Sequence, residues 1–389
     1  MKKFILFFLG FISLFAFTSC SFLEEDSSSE NTHTHSFSDS WTYDYDCHYH
    51  ECECGEKIDA SEHDYGEYYT TENDYARKCK ICGYVDYLNL NLLYDNDTSS
   101  YIVQGVINKD VKKIEVPTEF NGHEISKIKS GAFSGCKLEK IILPFVGDKK
   151  HIETDTNQYP FGYVFGTSKS GISQQYYAGT SAGTYLTQKY GIPSTLTNVV
   201  IGDIDYLQYG AFIECKYIKN IKINHVSKIG KSAFYNCTGL ESFDIPNGTI
   251  EIGSSAFKGA INIKNISIPA SITKIGDDAF YNMSYVSAGR QSYFESISNL
   301  ENVYYQGTLD NWSKIEFGNY HSNPMRYASN FYLLDNNGEI EYRGNNYSLS
   351  NEFYHYISIY LNNKMMHYYV CIVFLFLLTY GIMYIWENR

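Results

Sequence analysis

Apolar and polar positions recur along this chain in one repeated phrase. The dipeptide Ala-Phe stands at Ala132-Phe133, Ala211-Phe212, Ala233-Phe234, Ala256-Phe257 and Ala279-Phe280, and the last three intervals are 22, 23 and 23 residues. Around it the text reads L-x-x-[IV]-x-[IL]-P, then a loop, then I-G-x-x-A-F-x-x-C. Leu240, Phe243 and Ile245 give one repeat its strand, and Ile263, Ile266 and Ile268 give the next. A fixed period of this length predicts a solenoid in which each repeat buries its apolar faces only against its neighbours. The strands stack into a parallel sheet, and Ile252, Ala256 and Phe257 close the far side of the coil. A buried Phe contributes about 2 kcal/mol, so the column of Phe side chains is expected to be a main stabiliser.

The phrase "IPxxITxIGxxAFxxC" resembles the BspA-type leucine-rich repeats of bacterial surface antigens. The resemblance covers residues 88–308, with "LNLLYDNDTSSYIVQGV" as an opening hairpin before the first repeat. Residues 303–333 are similar to a short module that often interrupts or follows such repeats. The resemblance implies a mainly β leucine-rich repeat solenoid that binds proteins or adheres to surfaces and does no catalysis. Cys136, Cys215 and Cys237 share the end-of-repeat slot with Ala260 and Met283. A slot that accepts Ala and Met is a packing slot, so these cysteines are expected to be buried.

Two segments break the period, residues 145–191 and 284–297. Insertions in a solenoid leave from one face and often carry binding. The first holds Tyr159, Phe161, Tyr163, Phe165, Tyr176, Tyr177, Tyr185 and Tyr190, a composition suited to an adaptable contact surface. Of these, Tyr163, Phe165, Tyr176 and Tyr177 are singled out for binding; the alternative is that some of the aromatics cap the solenoid where the repeat is interrupted. A second candidate surface is the polar side of the strands. One column there is Asn198, Asn220, Ser242, Asn265 and Asn302, and beside it run Val200, Lys222, Asp244, Ser267 and Tyr304. Lys222, Asp244, Asn265 and Tyr304 are its binding candidates, against the alternative of a merely solvated face.

Before the repeats, residues 33–86 form a Cys/His-rich β module that overlays on itself at a shift of 28: His35 on His63, Phe37 on Tyr65, Trp41 on Tyr69, Cys54 on Cys82, Gly55 on Gly83. Each half ends in a cysteine pair and a glycine, Cys52-x-Cys54-Gly55 and Cys79-x-x-Cys82-Gly83. A tight Gly turn aims two thiolates at one point, so the four cysteines are expected to form one tetrahedral zinc site. His35, His48, His50 and His63 are spare donors. Disulfides and free thiols stay open as alternatives, with Cys47 making the count odd. The module resembles the His/Trp/Cys-Gly segments found ahead of repeats in surface proteins of low-GC bacteria, which gives a context and not an activity.

The ends add a cellular address. Lys2 and Lys3, then an apolar run from Phe4 to Phe17, then Thr18-Ser19-Cys20 read as a secretory signal over residues 1–20. Cysteine at that place resembles a bacterial lipobox, with Phe17 where Leu is usual. It implies an extracytoplasmic, cell-surface lipoprotein anchored by acyl chains on Cys20. Residues 21–32 are acidic and Ser-rich and read as a disordered tether. After a terminal module at 309–345 comes a tail, 346–389, whose stretch 368–386 carries no charge. It is long enough to span a bilayer; a buried terminal helix is the alternative.

Composition then excludes classes. The formal net charge is −13, from 44 acidic and 31 basic residues, which argues against nucleic-acid partners. With 38 Tyr and 7 Pro, strands and turns are favoured over long helices. "GTSAG" at 179–183 matches a nucleophile elbow around Ser181, but lacks the strand-turn-helix context that elbow needs. His123-Glu124 lacks a second metal-binding His, and "YDNDTSS" lacks the Gly and closing Glu of a calcium loop. The expected function is therefore surface binding of extracellular or host proteins or glycans. Zinc capture by the Cys/His module is the alternative, and a serine hydrolase using Ser181 the remote one.

Overall fold

The computed structural model describes residues 34–72, 74–155, 158–177, 185–288, 291–296, 299–334 and 340–342. Cys20, Ser181 and the apolar run 368–386 lie outside the described residues. Among the described residues no helix is long and apolar enough to cross a membrane.

The repeats wind into coils that share two parallel ladders. Lys113–Glu115, Lys140–Leu143, Asn198–Leu207 and Asn220–Ile229 pair in sequence order. The same strand position continues through Ser242–Asp244, Asn265–Pro269, Asn302–Gln306 and Asn330–Leu334. Backbone N–H groups of Glu139, Thr197, Lys219, Glu241, Lys264 and Glu301 each donate to the carbonyl one coil back, at 2.7–3.2 Å. A second ladder runs along Leu207, Ile229, Ile252, Ile275 and Phe317. Both ladders extend into the segment after residue 308, through Glu316–Phe317 and Asn330–Leu334. There Trp312 on the short helix Leu309–Ser313 is buried between Tyr305 and Phe331, 4.9 and 5.2 Å away.

Between the ladders stands the Phe column. Phe212, Phe234, Phe257 and Phe280 stack with centroids 5.6, 4.9 and 5.3 Å apart and planes within 12° of parallel. That spacing is imposed by the backbone: neighbouring strands lie about 4.8 Å apart, and each Phe occupies the same place in its coil. The Phe212, Phe234 and Phe257 N–H groups donate to Ala233, Ala256 and Ala279 carbonyls at 2.7–2.8 Å. The column does not stop at the first insertion. Phe161 and Phe165, in the 3-10 turn Phe161–Phe165, bridge Phe133 to Phe212 by ring contacts of 6.1, 5.4 and 5.0 Å. The Phe133 N–H donates to Val164 and the Phe161 N–H to Ala211, at 2.9 and 2.7 Å. The turn "FGYVF" thus does the work of an Ala-Phe turn that the sequence lacks. Cys136, Cys215 and Cys237 are buried and outside any disulfide. Burial pushes the Cys237 thiol up to about 12, and its sulfur donates to the Phe212 carbonyl at 2.9 Å.

The Gly of each I-G pair is set by the same closeness of coils. A Cβ on Gly253 would stand 2.6 Å from the Lys231 nitrogen, and one on Gly276 2.5 Å from the Ser254 nitrogen. Only a residue without a side chain lets adjacent coils approach there.

Both interruptions of the period are β-hairpins: Thr167–Tyr177 with Tyr185–Tyr190, and Met283–Ala288 with Gln291–Ser296. They leave the coil at the same point, between the Phe-bearing turn and the next ladder strand. Ahead of the coils, Leu90–Asp95 and Ser100–Val106 form the expected opening hairpin. The Cys/His module consists of two three-stranded antiparallel sheets. Thr42–Tyr43, Cys47–Glu51 and Lys57–Glu62 make the first, and Tyr69–Thr70, Tyr75–Lys78 and Val85–Tyr87 the second. The module is tied to the first coils by charge. Asp46 lies 2.6 Å from Lys140 and 3.5 Å from Lys113, and Arg77 bonds both Asp86 and Glu115.

Two stability outcomes follow from the stacking. Phe234→Ala and Phe257→Ala are each expected to cost about 3–5 kcal/mol. Phe161→Ala should fall in the same range despite lying in the insertion. Urea unfolding of the three variants checks this, and a Phe161→Ala variant as stable as the parent contradicts the continuous column. Gly253→Ala should cost about 1–3 kcal/mol by overpacking, whereas Gly66→Ala, whose added Cβ meets nothing nearer than 3.8 Å, should not; thermal melts of the pair separate the two.

Candidate functional site

The outward side of the strands carries two columns with different characters. In the first, asparagines are bonded to one another. Asn220 donates to Asn198 at 2.9 Å, Asn302 to Asn265 at 2.7 Å, and Asn330 to Asn302 at 2.9 Å. Identical side chains in register at the strand spacing make such a ladder. The Asn265 carboxamide is therefore engaged along the stack, accepting from Asn302, and this column serves the solenoid itself.

The second column is more varied. In the ladder Val200 pairs with Lys222, Asp244 with Ser267, Ser267 with Tyr304, and Tyr304 with Tyr332. Ser267 is nearly covered and accepts from the Gln306 amide at 2.8 Å. Lys222 is half-buried and Asp244 exposed. Although Asp244 is open by area, the neighbouring face desolvates its carboxyl and pushes it above the usual carboxylate range. Tyr304 and Tyr332 stack at 4.9 Å with planes 17° apart, both half-buried. Burial first, then Tyr332, raises the Tyr304 phenol. Tyr332 is not marked in the sequence because its coil lacks the Ala-Phe signature; the Asn that starts many of these strands, here Asn330, is the available signal.

The first insertion divides into two parts. Phe165 is only 1% exposed and Phe161 0%. Phe165, expected at a binding surface, is instead a core residue, because the coil needs an aromatic ring at that height. Tyr190 is buried and Tyr163 half-buried, its ring 4.4 Å from Tyr159. Tyr176 and Tyr177 lie on the hairpin, paired with Leu186 and Tyr185.

In the Cys/His module the four cysteines do not converge on one point. Cys52 and Cys54 gather with His35, while Cys79 and Cys82 gather with His48 and His63. The reason is local: each pair sits on the turn of its own half, and the nearest donors are histidines. The turns match. Gly55 N–H donates to Cys52 and Gly83 N–H to Cys79, at 2.8 and 3.1 Å, and both glycines hold positive φ, 91° and 78°. Cys54 Sγ stands 3.3 Å from His35 Nδ1, and Cys82 Sγ 3.4 Å from His63 Nδ1, the same contact one half later. Cys79 Sγ lies 3.9 Å from His48 Nδ1. None of Cys52, Cys54, Cys79 and Cys82 is bridged, whereas Cys47 is disulfide-bonded. The Cys54 backbone N–H and then His35 lower the Cys52 thiol to about 6. At Cys79, burial acts upward but the N–H groups of Cys82 and Ile81 outweigh it, giving about 6.

Comparison with known proteins agrees with the repeat register. Residues 106–156 and 193–289 match the family described as BspA type Leucine rich repeat region, in 6 copies. No curated protein matches the chain. Among solved structures, a leucine rich repeat protein of T. pallidum is 18% identical, with 59% of this chain and 83% of that one covered and a TM-score of 0.36. A leucine rich cell surface protein of Faecalibacterium prausnitzii is 14% identical, with coverages of 65% and 98% and a TM-score of 0.25. A leucine-rich repeat protein of Bacteroides ovatus is 18% identical, with coverages of 63% and 67% and a TM-score of 0.19. Superpositions this loose carry no argument, so the assignment rests on the family match and on the coil register described above. By both, the coils within residues 106–156 and 193–289 are similar to BspA-type leucine-rich repeats.

Proposed function

We propose that this chain is a cell-surface binding protein that recognises extracellular or host proteins or surface glycans, without catalysis. Its contact surface is the outward column Lys222, Asp244, Tyr304 and Tyr332, with the Tyr176–Tyr177 hairpin as a second arm. The observation that carries the reading is the stacked Tyr304–Tyr332 pair. Two rings held face to face on a rigid sheet present broad amphipathic area at little entropic cost, and exposed aromatics are enriched among binding hot spots. Lys222 and Asp244 on the same column add charges of opposite sign, which suit orientation of a partner more than raw affinity. The BspA-type family match supports the binding role. Attachment through lipid on Cys20, with the apolar run 368–386 as a second anchor, belongs to the same proposal.

The test is an array of glycans and purified extracellular-matrix proteins probed with the full chain. A Tyr304→Ala, Tyr332→Ala double variant, shown folded by circular dichroism, should bind its strongest array target at least tenfold more weakly than the parent. If that variant binds as the parent does while a Tyr176→Ser, Tyr177→Ser variant does not, the hairpin is the site and the sheet face is not.

A further inference from the structure

We infer that His48, His63, Cys79 and Cys82 form a closed binding site for a thiophilic divalent cation of the zinc class, which fastens the two halves of the N-terminal module together. The four donor atoms lie within 4.8 Å of one another. Zinc at its usual bond lengths to sulfur and imidazole nitrogen sets tetrahedral edges of about 3.3–3.8 Å. The Cys82–His63 distance, 3.4 Å, falls within this range, and the Cys79–His48 distance, 3.9 Å, lies just beyond its upper end.

The far side of each ring supports the same reading. A metal-ligating His presents one nitrogen to the ion and donates the other N–H to an oxygen, which fixes its tautomer and its aim. His63 Nδ1 faces Cys82 while its Nε2 meets the Asp44 carbonyl at 2.9 Å. His48 Nδ1 faces Cys79 while its Nε2 meets Ser61 Oγ at 3.0 Å. Ser61 is the cross-strand partner of His48 in the sheet. A pair of cysteines destined only for a disulfide has no use for two imidazoles aimed and fixed in this way.

Burial and topology separate this site from its neighbour. His48 is 0% exposed and Cys79 1%. Trp41 packs edge-on against His48 at 4.6 Å, and Tyr84 stacks on His63 at 4.8 Å. His48 comes from the first half, whereas Cys79 and Cys82 come from the second, so the ion would staple one half to the next. In the first half, His35, Cys52 and Cys54 repeat the arrangement with three donors, two of them exposed. The fourth donor of the closed site comes from the half before it, and the first half has no counterpart to draw on among the described residues. Three donors, two of them exposed, make an open, weaker site.

The experiment is native mass spectrometry of the reduced full chain in detergent, loaded with zinc and passed through gel filtration. One zinc ion per chain should be retained. Cys82→Ser and His48→Ala should each lower zinc affinity at least tenfold, and Cys54→Ser should leave that ion in place. Ser61→Ala touches no donor atom and should weaken zinc about tenfold, as loss of an outer hydrogen bond does, with an unchanged circular dichroism spectrum. The inference is overturned if no zinc is retained. Equal losses from Cys54→Ser and Cys82→Ser overturn it too, since they indicate one shared thiolate site, as does a Cys79–Cys82 disulfide mapped in the untreated chain.

Discussion

Everything in this solenoid depends on one spacing, the distance of about 4.8 Å at which backbone hydrogen bonds hold one coil above the next. Each repeated residue type is an answer to that distance. Phe rings stack because they are repeated at it; asparagines bond to asparagines because their amides just reach across it. Gly253 and Gly276 are small because nothing larger fits under the next backbone. The stability of such an array is carried by neighbour-to-neighbour contacts.

That constraint explains what became of the first insertion. The coil still requires a ring at its height, and Phe161 and Phe165 supply it from a turn with no Ala-Phe signature. The hairpin beyond it leaves the coil at the same corner as the second hairpin. The solenoid thus keeps its interior uniform and confines its variation to one edge and to the outward strand face. Tyr304 and Tyr332 stand on that face.

The period, the buried cysteine slot and the Phe column were legible in the sequence because each is a single residue type at a fixed interval. The role of Phe165 was not, because Val164-Phe165 replaces the dipeptide that served as the marker, and a cluster of aromatics reads alike whether it caps a core or meets a partner. Asn265 looked like an open polar site because a hydrogen bond between identical residues 37 positions apart leaves no local mark. In the module, the shift of 28 aligned cysteine with cysteine and suggested that the two pairs meet. The structure gathers donors differently, with His48 of the first half beside the cysteine pair of the second, an arrangement that internal similarity alone does not reveal.

The central claim is that the coils before and after the first insertion form one continuous stack through Phe161 and Phe165. Amide hydrogen exchange of the full chain, read by mass spectrometry, tests it most directly, since residues that open together share one opening free energy. The account predicts that the amides of Phe133, Phe161, Phe212 and Phe234 are protected to a similar degree and lose protection together in mild denaturant. A sharp break in protection between residue 145 and residue 193, with the coils on either side exchanging independently, would contradict it.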